Sequence, residues 1–292
     1  MEARAPTRTI RSATVFTHHR PDETADGIRA LIEVARKAGV ELLFDSDETA
    51  KHELGRFASD GVRANVDPEE QPDICIVLGG DGATLSALRR HAGTDVPVFA
   101  INYGRVGFLA TVDRTEMPRA LELALTGQFE VVRMPALLID GRSTERFAIN
   151  EVSFQRRPHM NVTHLSYSLA GEWVARVPCD GLIAATPAGS TAYSLSVGGP
   201  IVAWGVKGFV VNLIAPHALV ARPIVAAPED VLRVANDGDE PIDIVIDGMR
   251  TGELDGGEQS EITFQPDVVG LAQLPGSSFY RRFREKLLQL SS

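Results

Sequence analysis

The sequence predicts an α/β N-terminal domain built on a parallel sheet, followed by a mainly β C-terminal domain. From Ser12 to about Thr126, short β-rich segments alternate with helical periods, an arrangement typical of a parallel sheet covered by helices. Beyond Gly127, short segments rich in Val, Ile, Phe and Thr are separated by Gly, Pro and Asp, and few stretches suit a long helix. We therefore expect two domains, residues 1–126 and 127–275, which a chain of 292 residues accommodates.

Periodicity assigns the elements of the first domain. From Ile28 to Ala38, apolar residues recur at i, i+3, i+4, i+7 and i+10, and Gly39 follows as a stop signal, so the spacing predicts an amphipathic helix over 22–38. Residues 73–78 are apolar without alternation after the first position, which is typical of a strand buried on both faces. The other elements expected here are strands at 13–17, 40–44 and 96–101 and helices at 83–91 and 116–125.

Strands dominate the second predicted domain, and a helix closes the chain. Phe279, Phe283, Leu287 and Leu290 form one apolar stripe, which predicts a helix over 279–290. The strands expected before it lie at 129–132, 137–140, 146–154, 164–169, 209–214, 242–246 and 260–264.

The charge balance argues against nucleic acid as a partner. The chain carries 29 Lys and Arg against 39 Asp and Glu, a net charge of −10 with neutral histidines, and no basic run offsets it. A small anionic ligand remains compatible with this charge, because backbone amides and a few side chains can hold phosphates inside an acidic protein.

Cysteine usage and hydropathy predict a cytoplasmic protein. Cys75 and Cys179 cannot build a disulfide framework, and neither has the spacing of a zinc site. No apolar window approaches the roughly 18 residues of a membrane span, and residues 1–11 lack the apolar stretch of a signal peptide. We therefore expect no membrane partner.

A glycine-rich turn, residues 79–82 (Gly-Gly-Asp-Gly), joins the buried strand to the next helix. Glycines let a ligand approach the backbone, and the free amides and positive dipole end of the following helix favour an anion, with Asp81 at the mouth of the turn. The alternative is that Asp81 only caps the helix by accepting the Thr84 amide. Neither GxGxxG nor GxxxxGK[ST] occurs, so no nucleotide-binding fingerprint decides between the two.

Two further segments combine glycine with polar residues. Residues 102–109 follow a predicted strand at the sheet edge where ligands collect in open α/β folds, and they also fit a purely structural turn. Residues 179–200 place small residues and hydroxyls around Tyr193, which suits a pocket for a base, with the Asp180 carboxylate as an acceptor for an amide or amine. The alternative for this second segment is a Gly- and Ser-rich loop with a purely structural role.

A short polar pair, Asn150-Glu151, lies within the strand predicted at 146–154. The Glu151 carboxylate can accept hydrogen bonds from two ribose hydroxyls. The Asn150 side chain can form hydrogen bonds with the edge of a base or with a phosphate. As an isolated dipeptide, the pair also fits an ordinary exposed surface.

Taken in this order, the four segments resemble the NAD kinase family. The run from Thr186 to Tyr193, Thr-Pro-x-Gly-Ser-Thr-Ala-Tyr, is the most specific match, whereas Gly-Gly-Asp-Gly is shared with diacylglycerol, sphingosine and phosphofructokinase relatives. The Pro-His segment at 215–225, Asp247-Gly248 and residues 279–288, which are similar to the closing Phe...Leu-Arg-x-Lys-Leu helix of the family, extend the resemblance to residues 73–288.

The resemblance implies a fold, a reaction and a set of site residues. The fold would have two domains with the site in the cleft between them. The first domain would bind the phosphates and the donor, and the last helix (276–292) would pack back against it. The second, β-rich domain would bind NAD. The reaction would transfer a phosphoryl group from ATP or polyphosphate to the 2′-hydroxyl of the adenosine ribose of NAD, with a divalent metal ion, magnesium by preference, and Asp81 as the base. A homo-oligomer, dimer or tetramer, is also implied. The implied phosphate and dinucleotide contacts are Gly79, Gly80, Gly82, Asn102, Asn150, Glu151, Asp180, Ala188, Thr191, Ala192, Tyr193, Ser196, Ala215 and Asp247.

Four positions depart from the family pattern. Ala83 and Ser86 replace the usual Thr and Arg after the glycine turn, so an arginine for the donor phosphates is missing, with Arg89 or Arg105 as substitutes. Ala188 removes a hydroxyl from the Thr-Pro-x-Gly run, and Met249 replaces a common Gln. Two alternatives therefore stay open: a non-catalytic dinucleotide-binding sensor, and another kinase of the Gly-Gly-Asp-Gly type that acts on a lipid or sugar.

Overall fold

A computed structural model describes residues 8–54, 61–67, 70–104, 107–110, 112–141, 146–218 and 221–290, with side chains through residue 286. The chain forms two compact units that divide at 133/134 and at 268/269. The first unit holds both ends of the chain, and the second holds residues 134–268. Residues 127–133 and 269–275, placed in the C-terminal domain above, thus belong to the first unit.

The elements follow the predicted order closely. The helices are α1 Pro21–Ala38, α2 Ser46–Lys51, α3 Asp81–Arg90, α4 Met117–Leu125, α5 Tyr193–Ser196 and α6 Phe279–Leu290. The strands are β1 Ser12–Thr17, β2 Glu41–Leu43, β3 Val62–Arg63, β4 Ile74–Gly79, β5 Pro97–Asn102, β6 Val112–Asp113, β7 Glu130–Ile139, β8 Phe147–Ala148, β9 Glu151–Arg156, β10 Thr163–Leu169, β11 Glu172–Cys179, β12 Gly181–Ala185, β13 Phe209–Ile214, β14 Ile224–Ala226, β15 Leu232–Asn236, β16 Ile242–Ile246, β17 Met249–Leu254 and β18 Gln259–Gln273.

The first unit contains the predicted parallel sheet. Its strands run in the order β5, β4, β1, β2, β3, all parallel, and β6 and residues 270–272 of β18 also pair parallel with β5. Leu31 of α1, Ile76 of β4 and Leu121 of α4 are fully buried in one apolar cluster, as expected where helices cover a sheet.

The carboxyl ends of β4 and β5 lie side by side. Leu78 pairs with Ile101, and Gly79 pairs with Asn102, so both strands end at the same level. Because parallel strands end at a common edge, the turn after β4 and the segment after β5 are brought together there.

The second unit is mainly β, as predicted. Its six-stranded sheet, in the order β14, β13, β12, β9, β16, β17, is antiparallel throughout. A second antiparallel set joins β11, β10, β15 and the first half of β18. Phe154 and Leu182 from the first set and Leu165 and Val234 from the second are buried in one apolar cluster, which is how two packed sheets share a core.

Several predicted boundaries were wrong for identifiable reasons. The strands expected at 129–132 and 137–140 are one strand, β7, because the extended run continues through Met134 and Pro135. The strand expected at 146–154 is broken between β8 and β9, where the backbone amides of Ile149 and Asn150 bond to a distant side chain instead of to a ladder. Strands β3, β6, β11, β12, β14, β15 and β17 were not predicted.

Candidate functional site

Asp81 is the first residue of α3 and is separated from the buried strand β4 by one residue. The helix thus begins two residues earlier than predicted. Gly80 is the N-cap residue, and the Thr84 amide donates to the Gly80 carbonyl oxygen over 3.1 Å. The capping alternative for Asp81 is therefore wrong, and its carboxylate is available for other contacts.

Those contacts are three successive backbone amides after β5. The Phe108 amide donates to Oδ2 of Asp81 over 2.7 Å, and the Leu109 and Ala110 amides donate to Oδ1 over 3.0 and 3.1 Å. A Cβ atom at Gly107 would lie 1.9 Å from Oδ1, so only glycine allows this approach. The two segments that were predicted separately, 79–82 and 102–109, thus form one arrangement around a carboxylate. Asn102, the first residue of the 102–109 segment, is buried, and its Oδ1 accepts a hydrogen bond from the Gly104 amide over 3.0 Å.

The glycines of the 79–82 turn differ in what they face. A Cβ at Gly79 would lie 2.6 Å from the Cβ of Ala83, so packing requires glycine there. At Gly80 and Gly82, a Cβ would meet nothing within 4 Å, and neither has a positive φ. The folded chain therefore does not itself require glycine at these two positions, and they border open space at a helix N-terminus, where amides attract anions.

Helix α6 packs within the first unit, as expected. The Phe279 ring stacks on Phe108 with centroids 6.2 Å apart, and Nζ of Lys286 lies 4.4 Å from the centroid of the same ring. The buried Arg282 donates from Nη1 to the Phe108 carbonyl oxygen over 2.7 Å. Arg282 was not predicted as a site residue, because its position between the apolar residues of the helix carried no local signal.

In the second unit, Asp247 also bonds to three successive amides. The Ile149 amide donates to Oδ2 over 3.1 Å, and the Asn150 and Glu151 amides donate to Oδ1 over 2.7 and 3.1 Å. Asp247 and Gly248 form the two-residue loop between β16 and β17, with φ values of 48° and 82°. An Asp-Gly pair with positive φ at both residues is the type I′ hairpin signal, which could have revealed this turn from the sequence.

Glu151 is buried, with 6% of its surface exposed. Burial and, to a smaller extent, the charge of Asp247 together raise the pKa of its carboxyl to about 8. Among the described residues, none forms a hydrogen bond with its Oε2. At neutral pH this carboxyl is therefore largely protonated, so it can donate a hydrogen bond as well as accept one.

The Thr-Pro-x-Gly run lies directly against the 149–150 turn. Thr186 donates from Oγ1 to the Ile149 carbonyl oxygen over 2.6 Å, and its amide donates to the Asn150 carbonyl oxygen over 2.8 Å. A Cβ at Gly189 would lie 2.0 Å from that Asn150 oxygen, which explains the glycine. The predicted pocket run and the Asn150-Glu151 pair are thus neighbours, and Tyr193 begins the short helix α5 that follows.

The other predicted site residues of this unit vary in exposure. Asp180 forms an ion pair with Arg156, whose hydrogen bond lowers the pKa of the Asp180 carboxyl. Ala188, which replaces a hydroxyl residue of the family pattern, is buried. The half-buried residues are Thr191 and Ala192, and the exposed ones are Ser196 and Ala215.

Of the two departures near the glycine turn, Ala83 is half-buried and Ser86 lies on the exposed side of α3. Ser86 is exposed and donates from Oγ to the Gly82 carbonyl oxygen over 3.2 Å. Arg89, one turn further, donates from Nη2 to Oγ of Ser86 over 3.4 Å, so a guanidinium does lie beside the position where the family has arginine. Arg105 lies outside the described residues.

The described residues show neither a cluster of side chains suited to a metal ion nor a membrane-spanning helix. Within the described ranges, no group of three or more His, Cys, Asp or Glu side chains is placed to hold a metal ion. No helix in the same ranges has both the length and the apolar character needed to cross a bilayer.

Two family models match the chain. The model described as ATP-NAD kinase N-terminal domain covers residues 23–129, and the one described as ATP-NAD kinase C-terminal domain covers residues 149–267. The first match begins well before residue 73, where the motif resemblance started.

Curated relatives and solved structures agree with these models. The NAD kinase of Gemmatimonas aurantiaca is 35% identical over 81% of this chain and 84% of its own length, and that of Methanothermobacter thermautotrophicus is 34% identical over 86% and 87%. Yeast NADH kinase, solved with NADH, superposes with a TM-score of 0.86 at 21% identity, covering 98% of this chain and 89% of its own. The NAD kinase of Archaeoglobus fulgidus, solved with ATP, gives 0.74 at 25% identity, covering 95% and 98%. Because both units match, the lipid- or sugar-kinase alternative is set aside, and the chain belongs to the NAD kinase family.

Proposed function

We propose that this kinase transfers the γ-phosphoryl group of ATP to the 2′-hydroxyl of the adenosine ribose of NAD, giving NADP and ADP. The relatives carry the name NAD kinase, and structural neighbours were solved with NADH and with ATP. The proposal rests mainly on the position of Asp81. This residue begins α3, and the backbone amides of residues 108–110 hold its carboxylate in place.

Asp81 is the proposed general base. A carboxylate offers about four lone-pair positions, and the three amides use three of them, two on Oδ1 and one on Oδ2. The remaining position on Oδ2 accepts the proton of the 2′-hydroxyl. The hydroxyl oxygen then bonds to the γ-phosphorus, the bond from that phosphorus to the β,γ-bridging oxygen breaks, and ADP leaves.

The donor phosphates are proposed to lie at the α3 N-terminus. The open space beside Gly80 and Gly82 lets phosphate oxygens reach the free amides, and the helix dipole favours their charge. A magnesium ion would be held mainly by the phosphate oxygens, with one or two carboxylates of the protein, as is usual for this ion at phosphate sites. When bound, this ion supplies positive charge against the transferred group.

The dinucleotide is proposed to bind through the second unit. Glu151, protonated at neutral pH, donates one hydrogen bond to a ribose hydroxyl and accepts another, while Asn150 reads the base edge. Asp247 serves indirectly, because its carboxylate fixes the backbone of both residues.

The same proposal assigns the remaining subsite residues. Tyr193 offers its ring to a base, and Asp180 accepts a hydrogen bond from the amide of NAD. The residues proposed to line the rest of the subsites are Asn102, Ala188, Thr191, Ala192, Ser196 and Ala215. The enzyme is further proposed to be a cytoplasmic homo-oligomer, for which light scattering after size-exclusion chromatography would give the subunit number.

The test compares the wild type with Asp81→Asn. Each protein is incubated with NAD and magnesium and with either ATP or polyphosphate, and NADP is read with an NADP-specific dehydrogenase. Since general-base catalysis contributes about 10²- to 10⁴-fold, the variant should lose at least about 100-fold in kcat. NAD binding without NADP from either donor would contradict the proposal and favour the dinucleotide sensor.

A further inference from the structure

We propose that Arg282 is a positioning residue for phosphoryl transfer, acting on Asp81 through the peptide unit that joins Phe108 to Leu109. This inference rests on the proposed function, because it assumes that Asp81 is the base.

One peptide unit lies between the two charged side chains. Arg282 donates from Nη1 to the Phe108 carbonyl oxygen over 2.7 Å. The Leu109 amide of the same peptide donates to Oδ1 of Asp81 over 3.0 Å. In a planar trans peptide, the C=O and N–H groups point in opposite directions, so the guanidinium and the carboxylate lie on opposite sides of this unit.

This arrangement orients the base in two ways. The guanidinium holds the carbonyl, and a rigid peptide then fixes the direction of the Leu109 amide that meets Asp81. Hydrogen bonds in a chain also polarise one another, so a positive charge on the carbonyl side makes this amide a stronger donor to the carboxylate.

Arg282 is placed to keep its charge. Only 7% of its surface is exposed, and burial lowers its pKa to about 10, opposed by the charges of Asp81 and Glu285. It remains protonated at neutral pH, and the negative charge of Asp81 favours this protonated form.

The same helix fixes the side chain of Phe108. Phe279 stacks on its ring, and the ammonium of Lys286 lies over it. Phe108 is therefore held by its ring and its carbonyl at once, and α6 sets the position of the amide segment that binds Asp81.

The experiment uses Arg282→Met, which removes the charge and the donors but keeps much of the side-chain length. The matched control is Arg281→Met, at the neighbouring exposed position of the same helix. We expect Arg282→Met to lower kcat by at least about tenfold with KM for NAD changed less than about twofold, since an oriented base acts mainly in the transition state. The control should keep wild-type kinetics.

A double variant separates this role from general support of the fold. If Arg282 acts through Asp81, then Asp81→Asn combined with Arg282→Met keeps the kcat of Asp81→Asn within about threefold, because residues acting as a unit are not additive. Losses that multiply, or a wild-type kcat in Arg282→Met, would overturn the inference. A wild type that forms no NADP would instead overturn the proposed function.

Arg282→Lys covers the case in which the methionine variant does not fold. It keeps the charge but not the planar fork. A reduced kcat with an unchanged KM for NAD supports the inference, and an unchanged kcat together with a raised KM overturns it.

Discussion

Glu151→Gln should flatten the dependence of stability on pH in the second unit. The change replaces a titrating carboxyl by an amide of nearly equal size, which resembles the protonated form of Glu151. The folded state raises the pKa of this carboxyl from 4.5 to about 8, through burial and the charge of Asp247. At about 1.4 kcal/mol per pKa unit, ionising it in the folded protein costs about 4 to 5 kcal/mol.

The sign follows from proton binding. Between pH 4.5 and about 8 the folded state binds more protons at Glu151 than the unfolded state does, so its contribution to stability is complete below pH 4.5 and is lost as the pH rises through about 8. The free energy of unfolding of Glu151→Gln minus that of the wild type should therefore grow by about 3 to 4 kcal/mol between about pH 5 and about pH 9.

Urea unfolding followed by tryptophan fluorescence measures this difference, because both tryptophans, Trp173 and Trp204, lie in the second unit with Glu151. Subtraction at each pH removes the contributions of the titrating groups that do not interact with Glu151. Glu172→Gln, an exposed position in the same unit, is the control and should differ from the wild type by a constant amount. A Glu151→Gln difference that changes by less than about 1 kcal/mol over this range would refute the reasoning.

Two glycine substitutions give further predictions. Gly107→Ala places a methyl group 1.9 Å from the Asp81 carboxylate, so the loop must move and kcat should fall at least about tenfold in steady-state assays; wild-type kcat would contradict this. Gly80→Ala meets nothing within 4 Å, so its melting temperature should stay within about 2 °C of the wild type while KM for ATP rises. Gly79→Ala is the contrasting control, because its methyl group would lie 2.6 Å from Ala83 and should lower the melting temperature. Equal melting temperatures for the two variants would count against the packing argument.

The sequence predicted the parallel sheet and most of its elements, because buried strands and amphipathic helices leave local periodicities. The helix predicted at 22–38 differs from α1 only in starting one residue later, and the helix predicted at 279–290 has the same bounds as α6. Strand β12, Gly181–Ala185, was missed because its short apolar run lies inside a Gly-, Ser- and Thr-rich segment that indicated a pocket. Strand β11 begins with the exposed Glu172 and Trp173 and lacks clean alternation, so its pattern gave no signal.

What the sequence alone determined was the family: the order of the glycine turn, the Asn-Glu pair and the Thr-Pro-x-Gly run was enough to indicate it. What only the tertiary structure decided was how each carboxylate is held. Asp81 bonds to amides 27 to 29 residues away, Asp247 to amides 96 to 98 residues away, and Arg282 to a carbonyl 174 residues away. Backbone amides are present at every such position in any chain, so no residue pattern marks these partners, and only folding selects the few that meet each charge.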